Sequence, residues 1–359
     1  MTRFLQDIMR QPEELLRVID YLNSAGRDLL HLAAQTIRGA RHTYITGIGA
    51  SWNAALGAAS IFHSGGWPVY MLDAAELLQF SAIPAGSVIL VLSRSGKSIE
   101  VVKLLAKARS ANATVIGITN FEDGPLARES DIPVVVPVKA DNGISVNTYS
   151  VLAAVAAAVA SATVDSFDGS LVAGLSEAVA ETKKNIPGWQ QQLADSSWLS
   201  GGAMYYFLGR GSGLASAYEA SLLWEEGAKL PAAAIGAGSF RHGPQEIVTR
   251  DIRIGMWIDG EQMRDQDLAV AHDLRTLGAS VMLIGCGIPE DAADLVFAVP
   301  RFPRHWQFLG DVIPAQLAAE RLAHIRGVDC DSFRFASYIV EDDQRLLPGG
   351  SYSRQSGRT

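Results

Sequence analysis

Residues Ser87–Thr119 read SVILVLSRSGKSIEVVKLLAKARSANATVIGIT. The unbroken apolar run Val88–Leu92 and the β-branched run Thr114–Thr119 have the composition of strands covered on both faces. Between them Val101, Leu104, Leu105 and Ala108 recur at helical spacing and give the connecting helix one apolar face. A strand, a helix and a second buried strand imply a right-handed crossover between parallel strands. Val134–Val138, within IPVVVPV at Ile132–Val138, continues the alternation. The expected class is α/β, a three-layer αβα arrangement around a mostly parallel, doubly wound sheet of flavodoxin-like or Rossmann-like type.

The pattern occurs twice. Ile252–Cys286, IRIGMWIDGEQMRDQDLAVAHDLRTLGASVMLIGC, again runs strand, loop, helix, strand. Upstream of each copy lies a strand, a Gly-x-Gly turn and a small-residue helix start: YITGIGASWNAAL at Tyr44–Leu56 and YFLGRGSGLASAY at Tyr206–Tyr218. IPVVVPV is matched by DLVFAVP at Asp294–Pro300. Three matches in the same order, each about 160 residues on, indicate a tandem duplication. The boundaries expected are 1–165 for the first domain with its leading helices, 166–195 for a helical linker, 196–347 for the second domain and 348–359 for a disordered Gly/Ser/Arg tail.

The 359 residues are 48% hydrophobic and 19% charged, which excludes disordered, collagenous and disulfide-scaffold classes. A net charge of −8 argues against a nucleic-acid surface, since neutralising phosphates needs a basic face. Cys286 and Cys330 form no disulfide framework or CxxC pair and are expected to be small buried side chains in a reducing cytoplasm. Met1–Pro12 is polar and shows no secretory signal. The Ala-rich Val151–Val164 is shorter than a membrane span and reads as a core helix. The expectation is a cytoplasmic protein without membrane contact.

In open α/β sheets ligands bind beyond the carboxyl ends of strands. Gly47-Ile48-Gly49-Ala50-Ser51 is a weak signal there, lacking the third glycine and the acidic ribose partner of a dinucleotide site. Ser93-Arg94-Ser95-Gly96-Lys97-Ser98 is the stronger one. It combines three hydroxyls, a turn glycine and a helix N-terminus, which together attract a phosphate-like anion, and it does not match a Walker A loop. The second copy has Asp259-Gly260-Glu261-Gln262 in that place, whose carboxylates would repel an anion. Only the first half is therefore expected to hold phosphate. Glu219, Glu225, Glu226 and His242 are the proton-transfer candidates, although a helix Glu is ordinarily solvated and a His beside Gly-Pro is ordinarily a loop residue. The other histidines lack metal-ligand spacing, and neither metal nor cofactor is expected.

The repeat, the GxGxS turn, the SRSGxS loop and the FRHGP segment at Phe240–Pro244 resemble the double-SIS (sugar isomerase) family over nearly the whole chain. That family includes the isomerase half of glutamine–fructose-6-phosphate aminotransferase, glucosamine-6-phosphate deaminases and fructosamine-6-phosphate deglycases. The resemblance implies sugar-phosphate binding by Ser51, Ser93, Arg94, Ser95 and Ser98, with Gly49, Ala50 and Arg334 also touching substrate. The aminotransferase-like members have glutamine where this chain has Arg94. The family's acid–base glutamate matches Glu226, sixteen residues before the ring-opening histidine, which matches His242. The resemblance also implies a homodimer in which His242 completes the neighbouring site, and Trp52, Phe62, Trp67 and the Ala-rich helix offer apolar material for an interface or for the core.

Two departures from the family stand out. After Asp331-Ser332-Phe333-Arg334 the position of a Schiff-base lysine holds Tyr338, and the S-T-K segment reads Asn147-Thr148-Tyr149. A phenol forms no imine. No glutaminase segment with a nucleophilic Cys is visible, so glutamine-dependent ammonia transfer is not expected. The expected function is a deglycase or deaminase acting on amino-sugar or fructosamine phosphates. Aldose–ketose isomerisation of a phosphorylated or sulfonated sugar and non-catalytic sugar-phosphate sensing remain the alternatives.

Overall fold

The computed structural model describes residues 1–342 apart from 137, 203 and 336–338. The segment expected as a tail, 348–359, lies outside the described residues. Two helices lead, α1 (Arg3–Asn23) and α2 (Arg27–Arg38). The first sheet follows as β1 (His42–Thr46), α3 (Ala50–Ser64), β2 (Tyr70–Met71), α4 (Ala74–Gln79), β3 (Ser87–Leu92), α5 (Ile99–Ser110), β4 (Thr114–Thr119), α6 (Pro125–Glu129) and β5 (Ile132–Val135). Helices α7 (Asn147–Thr163) and α8 (Gly169–Asp195) lead to the second sheet. Its elements are β6 (Met204–Gly209), α9 (Gly213–Leu223), β7 (Ala232–Gly236), α10 (Ala237–Phe240), β8 (Ile252–Trp257), α11 (Arg264–Thr276), β9 (Ser280–Gly285) and β10 (Leu295–Ala298). Helices α12 (Phe308–Asp311) and α13 (Ile313–Arg326) close the fold.

Every strand pair is parallel. The orders are β2-β1-β3-β4-β5 and β10-β9-β8-β6-β7. Read from the other end, the second order repeats the first strand for strand, so the duplication inferred from three sequence matches extends to the whole sheet. Each sheet reverses direction between the first two long strands, β1 and β3 or β6 and β8. That crevice is where an open parallel sheet exposes strand ends to a ligand. All six residues of β3 are buried, as its unbroken apolar run requires. Val101, Leu104, Leu105 and Ala108 are the buried face of α5. The strand expected over Val134–Val138 begins and ends earlier, at Ile132 and Val135.

One hydrophobic core runs from Phe4 in α1 to Ala323 in α13 and includes residues from both sheets. Two smaller clusters lie elsewhere, one on each sheet. Helix α7 is the centre of the large core. All seventeen of its residues are buried, and it lies against α1, α2 and α3. Alanine suits such a helix, combining high helix propensity with a side chain short enough for close approach on every face. Two of its hydroxyls bond back to the preceding turn, Ser150 Oγ to the Val146 carbonyl at 2.9 Å and Thr163 Oγ1 to the Val159 carbonyl at 2.8 Å. The Ala-rich segment and Phe62 are therefore internal, leaving Trp52 and Trp67 as the partly exposed members of the suggested interface set. No helix among the described residues is long and apolar enough to cross a membrane.

Candidate active site

The turn after β1 needs its glycines. A Cβ on Gly47 would stand 2.7 Å from the Ser51 carbonyl carbon, and Gly49 has φ +57° with open space where a side chain would be. In the loop after β3, Ser93, Ser95 and Gly96 are buried and Arg94 and Ser98 half-buried. Ser93 Oγ accepts the Gly96 N–H at 3.1 Å, and Ser95 Oγ accepts the Lys97 N–H at 3.2 Å. Each hydroxyl keeps its own proton to donate. The Arg94 carbonyl accepts from Thr119 Oγ1 at 2.9 Å, tying the loop to the end of β4.

These two turns form one wall of a cavity of about 300 Å³. Gly49, Ala50, Ser51, Ser93, Arg94, Ser95 and Ser98 all line it, and so does Glu226 from the second half of the chain. Lys97 points outward and is exposed.

Glu226 arrives through an irregular helix end. After α9 the backbone widens into a π-turn, Trp224–Ala228, and Lys229 takes a left-handed conformation with φ +56°. Trp224 anchors the turn, fully buried with its ring centroid 4.7 Å from that of Phe207 and 5.7 Å from that of Tyr205. Burial pushes the Glu226 carboxyl up to about 7, while the nearby Lys229 and Arg94 cations hold it back. A carboxyl poised there exchanges protons efficiently at neutral pH. Lys229 Nζ donates to the carbonyls of Glu226 and Ser332, the latter at 2.9 Å.

The other two glutamates differ in surroundings. Glu225 is exposed. Glu219 is buried, its Oε2 accepting from Asn53 Nδ2 at 2.9 Å, and burial pushes its carboxyl up to about 8. That bond and the edge-on contact of Trp52 with Tyr218, 5.3 Å between centroids, join α3 to α9 between the sheets. The ordinary expectation of solvated helix glutamates therefore fails for Glu219 and Glu226.

His242 is exposed, just past α10, and does not line the cavity. Arg334 is also exposed, although its neighbour Phe333 does line it. Tyr338 lies outside the described residues. Sequence reasoning missed Glu100, Gly143, Ser145, Phe333, Ile339 and Val340 as lining residues. Glu100 directly follows the serine loop and was within reach of a local reading. The rest arrive through long-range contacts: the Val340 carbonyl accepts the Ile99 N–H at the start of α5, at 3.0 Å. Gly143 and Ser145 belong to a loop held by Asp141, whose carboxylate accepts the N–H groups of Val146, Asn147 and Thr148 at 3.1, 3.0 and 2.9 Å.

In the second half the corresponding loop is filled from within. Asp259, two residues past β8 as Arg94 is two past β3, accepts the N–H groups of Glu261, Gln262 and Met263 at 3.2, 3.0 and 3.0 Å. Among the described residues no group of three or more His, Cys, Asp or Glu is placed to hold a metal ion.

Residues 36–164, which contain the first sheet and its serine loop, match the SIS domain family model. The second half of the chain, outside that match, repeats the same sheet order. It is 26% identical over 343 residues to glutamine–fructose-6-phosphate aminotransferase [isomerizing] of Pyrobaculum aerophilum, covering 92% of this chain and 56% of that protein. The enzyme of the same name from Symbiobacterium thermophilum is 26% identical over 348 residues, 92% of this chain and 57% of its own length. The chain thus spans about half the length of the curated relatives it matches.

Among solved structures, the C-terminal domain of glucosamine-fructose-6-phosphate aminotransferase from Francisella tularensis superposes with a TM-score of 0.79 at 22% identity, over 92% of this chain and 97% of that one. Glucosamine-6-phosphate deaminase from Thermotoga maritima gives 0.78 at 22%, over 94% and 99%. Tagatose-6-phosphate ketose/aldose isomerase from Escherichia coli gives 0.78 at 19%, over 96% and 97%. These likenesses establish the fold.

Proposed function

We propose that the chain is a sugar-phosphate enzyme that releases an amine from an amino-sugar or fructosamine phosphate. The observation that carries this reading is the meeting of Glu226 with the Ser93–Ser98 loop in one cavity. The loop hydroxyls, the α5 N-terminus and Arg94 hold the phosphate. With the phosphate end fixed there, the open-chain carbons are presented to Glu226. Its carboxylate removes a proton from C1 of a fructosamine phosphate, giving an enaminol, and returns one to C2. The resulting C1 imine adds water and separates into an aldose phosphate and free amine. His242, supplied by a second copy of the chain, moves the proton on the ring oxygen during opening.

The absence of lysine supports amine release over chemistry that builds a new imine on the enzyme. Among the described residues lining the cavity there is none, and Lys229 beside it is engaged by two carbonyls. A substrate that already carries nitrogen needs no such residue.

The test is turnover read by mass spectrometry with glucosamine 6-phosphate, fructose 6-phosphate and several 6-phosphofructosyl amino acids. Free ammonia or amine is the expected product. Interconversion of hexose phosphates alone would make the protein an isomerase, and binding without any product would leave a sensor.

The pH profile follows from the raised Glu226 carboxyl. The base must be ionised, so kcat/KM is expected to fall about tenfold per pH unit below about 7 and to level off above it. A profile flat down to pH 5 would place an ordinary, exposed carboxylate in the role instead.

A further inference from the structure

The second sheet has a cavity of its own, about 270 Å³, beyond the carboxyl ends of β6, β8, β9 and β10. Its place is that of the active-site cavity carried over by the repeat, but both elements of that chemistry are gone. The loop amides are occupied by Asp259, and Ile258, Gly260 and Met263 stand where the first half has Ser93, Ser95 and Ser98. Helix α9 carries the chain to Glu226 in the first cavity, whereas α3 brings only Ser60 and Ser64 to the second. This cavity has neither the phosphate seat nor the base.

It has charges of both signs on different loops. Asp259 and Glu261 follow β8, and Arg301 and Arg304 follow β10. Arg304 Nε reaches Glu261 Oε2 at 3.0 Å and ties the two loops together. Arg210, after β6, is committed to Asp267 at 2.7 Å. Arg301 is exposed and has no charged or hydrogen-bonding partner among the described residues. Asp311, also lining the cavity, is 3% exposed, accepts the Ser216 hydroxyl, and is pushed up to about 8 by burial, so it enters as a neutral group. His305 is pushed down by burial and by Arg304.

We propose that this cavity is a non-catalytic binding site for a small zwitterion of the α-amino-acid class, with the carboxylate on Arg301 and the ammonium toward Glu261 and Asp259. A simple anion would meet the two carboxylates of the β8 loop. A simple cation would meet the guanidiniums of the β10 loop. Only a ligand bearing both charges is matched on both sides, and a carboxylate can take the planar Arg fork through two hydrogen bonds. The site stands apart from the amine-release reading and does not depend on it.

Ligand-observed NMR on the full chain tests this, using the common L-amino acids as probes and butyrate and butylamine as single-charge controls. At least one amino acid is expected to bind with Kd below about 1 mM, and both controls at least tenfold more weakly. Arg301→Ala and Glu261→Gln, both at exposed positions, are each expected to weaken it about tenfold, while Ser95→Ala in the first cavity leaves it unchanged. No amino acid binding, butyrate binding as well as any amino acid, or affinity indifferent to both substitutions would each overturn the proposal.

Discussion

Glu226→Gln is expected to lower kcat by about 10²–10⁴-fold while changing KM no more than about threefold. The amide is isosteric with the carboxyl, so the π-turn and its buried Trp224 anchor remain as they are. What disappears is the capacity to take and return a proton at about neutral pH. In the proposed reading the phosphate end of the substrate sits on the serine loop, which the substitution does not touch, so binding is expected to survive. The amide also replaces an ionised group near Arg94 and Lys229, so a small shift in KM in either direction is compatible with the argument. Steady-state kinetics on an active substrate from the mass-spectrometric panel separates the two constants. Turnover within a few-fold of wild type would move the base to Glu100, the other carboxylate among the described residues lining the cavity.

Asp141→Ala is expected to destabilise the fold by about 3 kcal/mol or more and to lower the thermal midpoint by about 5 °C or more. The Asp141 side chain is fully shielded from solvent and accepts three main-chain N–H groups at the start of α7, together with Asn147 Nδ2 at 2.8 Å. Arg10, which also pairs with Asp7 at 2.9 Å, lies 3.6 Å away. Truncation leaves the three main-chain donors without that acceptor, with Asn147 Nδ2 keeping only the Asp7 carbonyl and Arg10 one anion fewer, and an orphaned buried donor costs more than a hydrogen bond contributes. The same loop carries Gly143 and Ser145 into the cavity, so KM should rise as well. Differential scanning fluorimetry and a circular-dichroism melt suffice to measure the loss. A midpoint within a degree of wild type would show that the loop finds other acceptors.

How much of this was readable beforehand depends on the range of the interaction. The serine loop was legible because strand, turn glycine, hydroxyls and helix start are consecutive, so Ser93–Ser98 declare their geometry within a dozen residues. The contrast with the second loop was legible in the same way. Asp259 was expected to repel an anion, and the structure adds that its carboxylate occupies the amides an anion would use. Glu226 was harder. Nothing in the pattern of α9 distinguishes it from Glu225, one residue earlier and exposed, because the choice rests on a π-turn held by a tryptophan packed on the neighbouring sheet.

Periodicity and repetition in the chain were enough for two parallel sheets, their duplication and a serine-rich turn in the first copy that the second lacks, since each of these is written in residues near one another. Folding decided the rest. It placed Glu226 against a loop more than a hundred residues away, buried the Ala-rich helix on all sides, brought Val340 to the first amide of α5 and left His242 outside the cavity of its own chain. Each of these depends on which surfaces meet when the two halves share one core. Such meetings are set by packing among distant segments, and no local pattern of residue types carries that information.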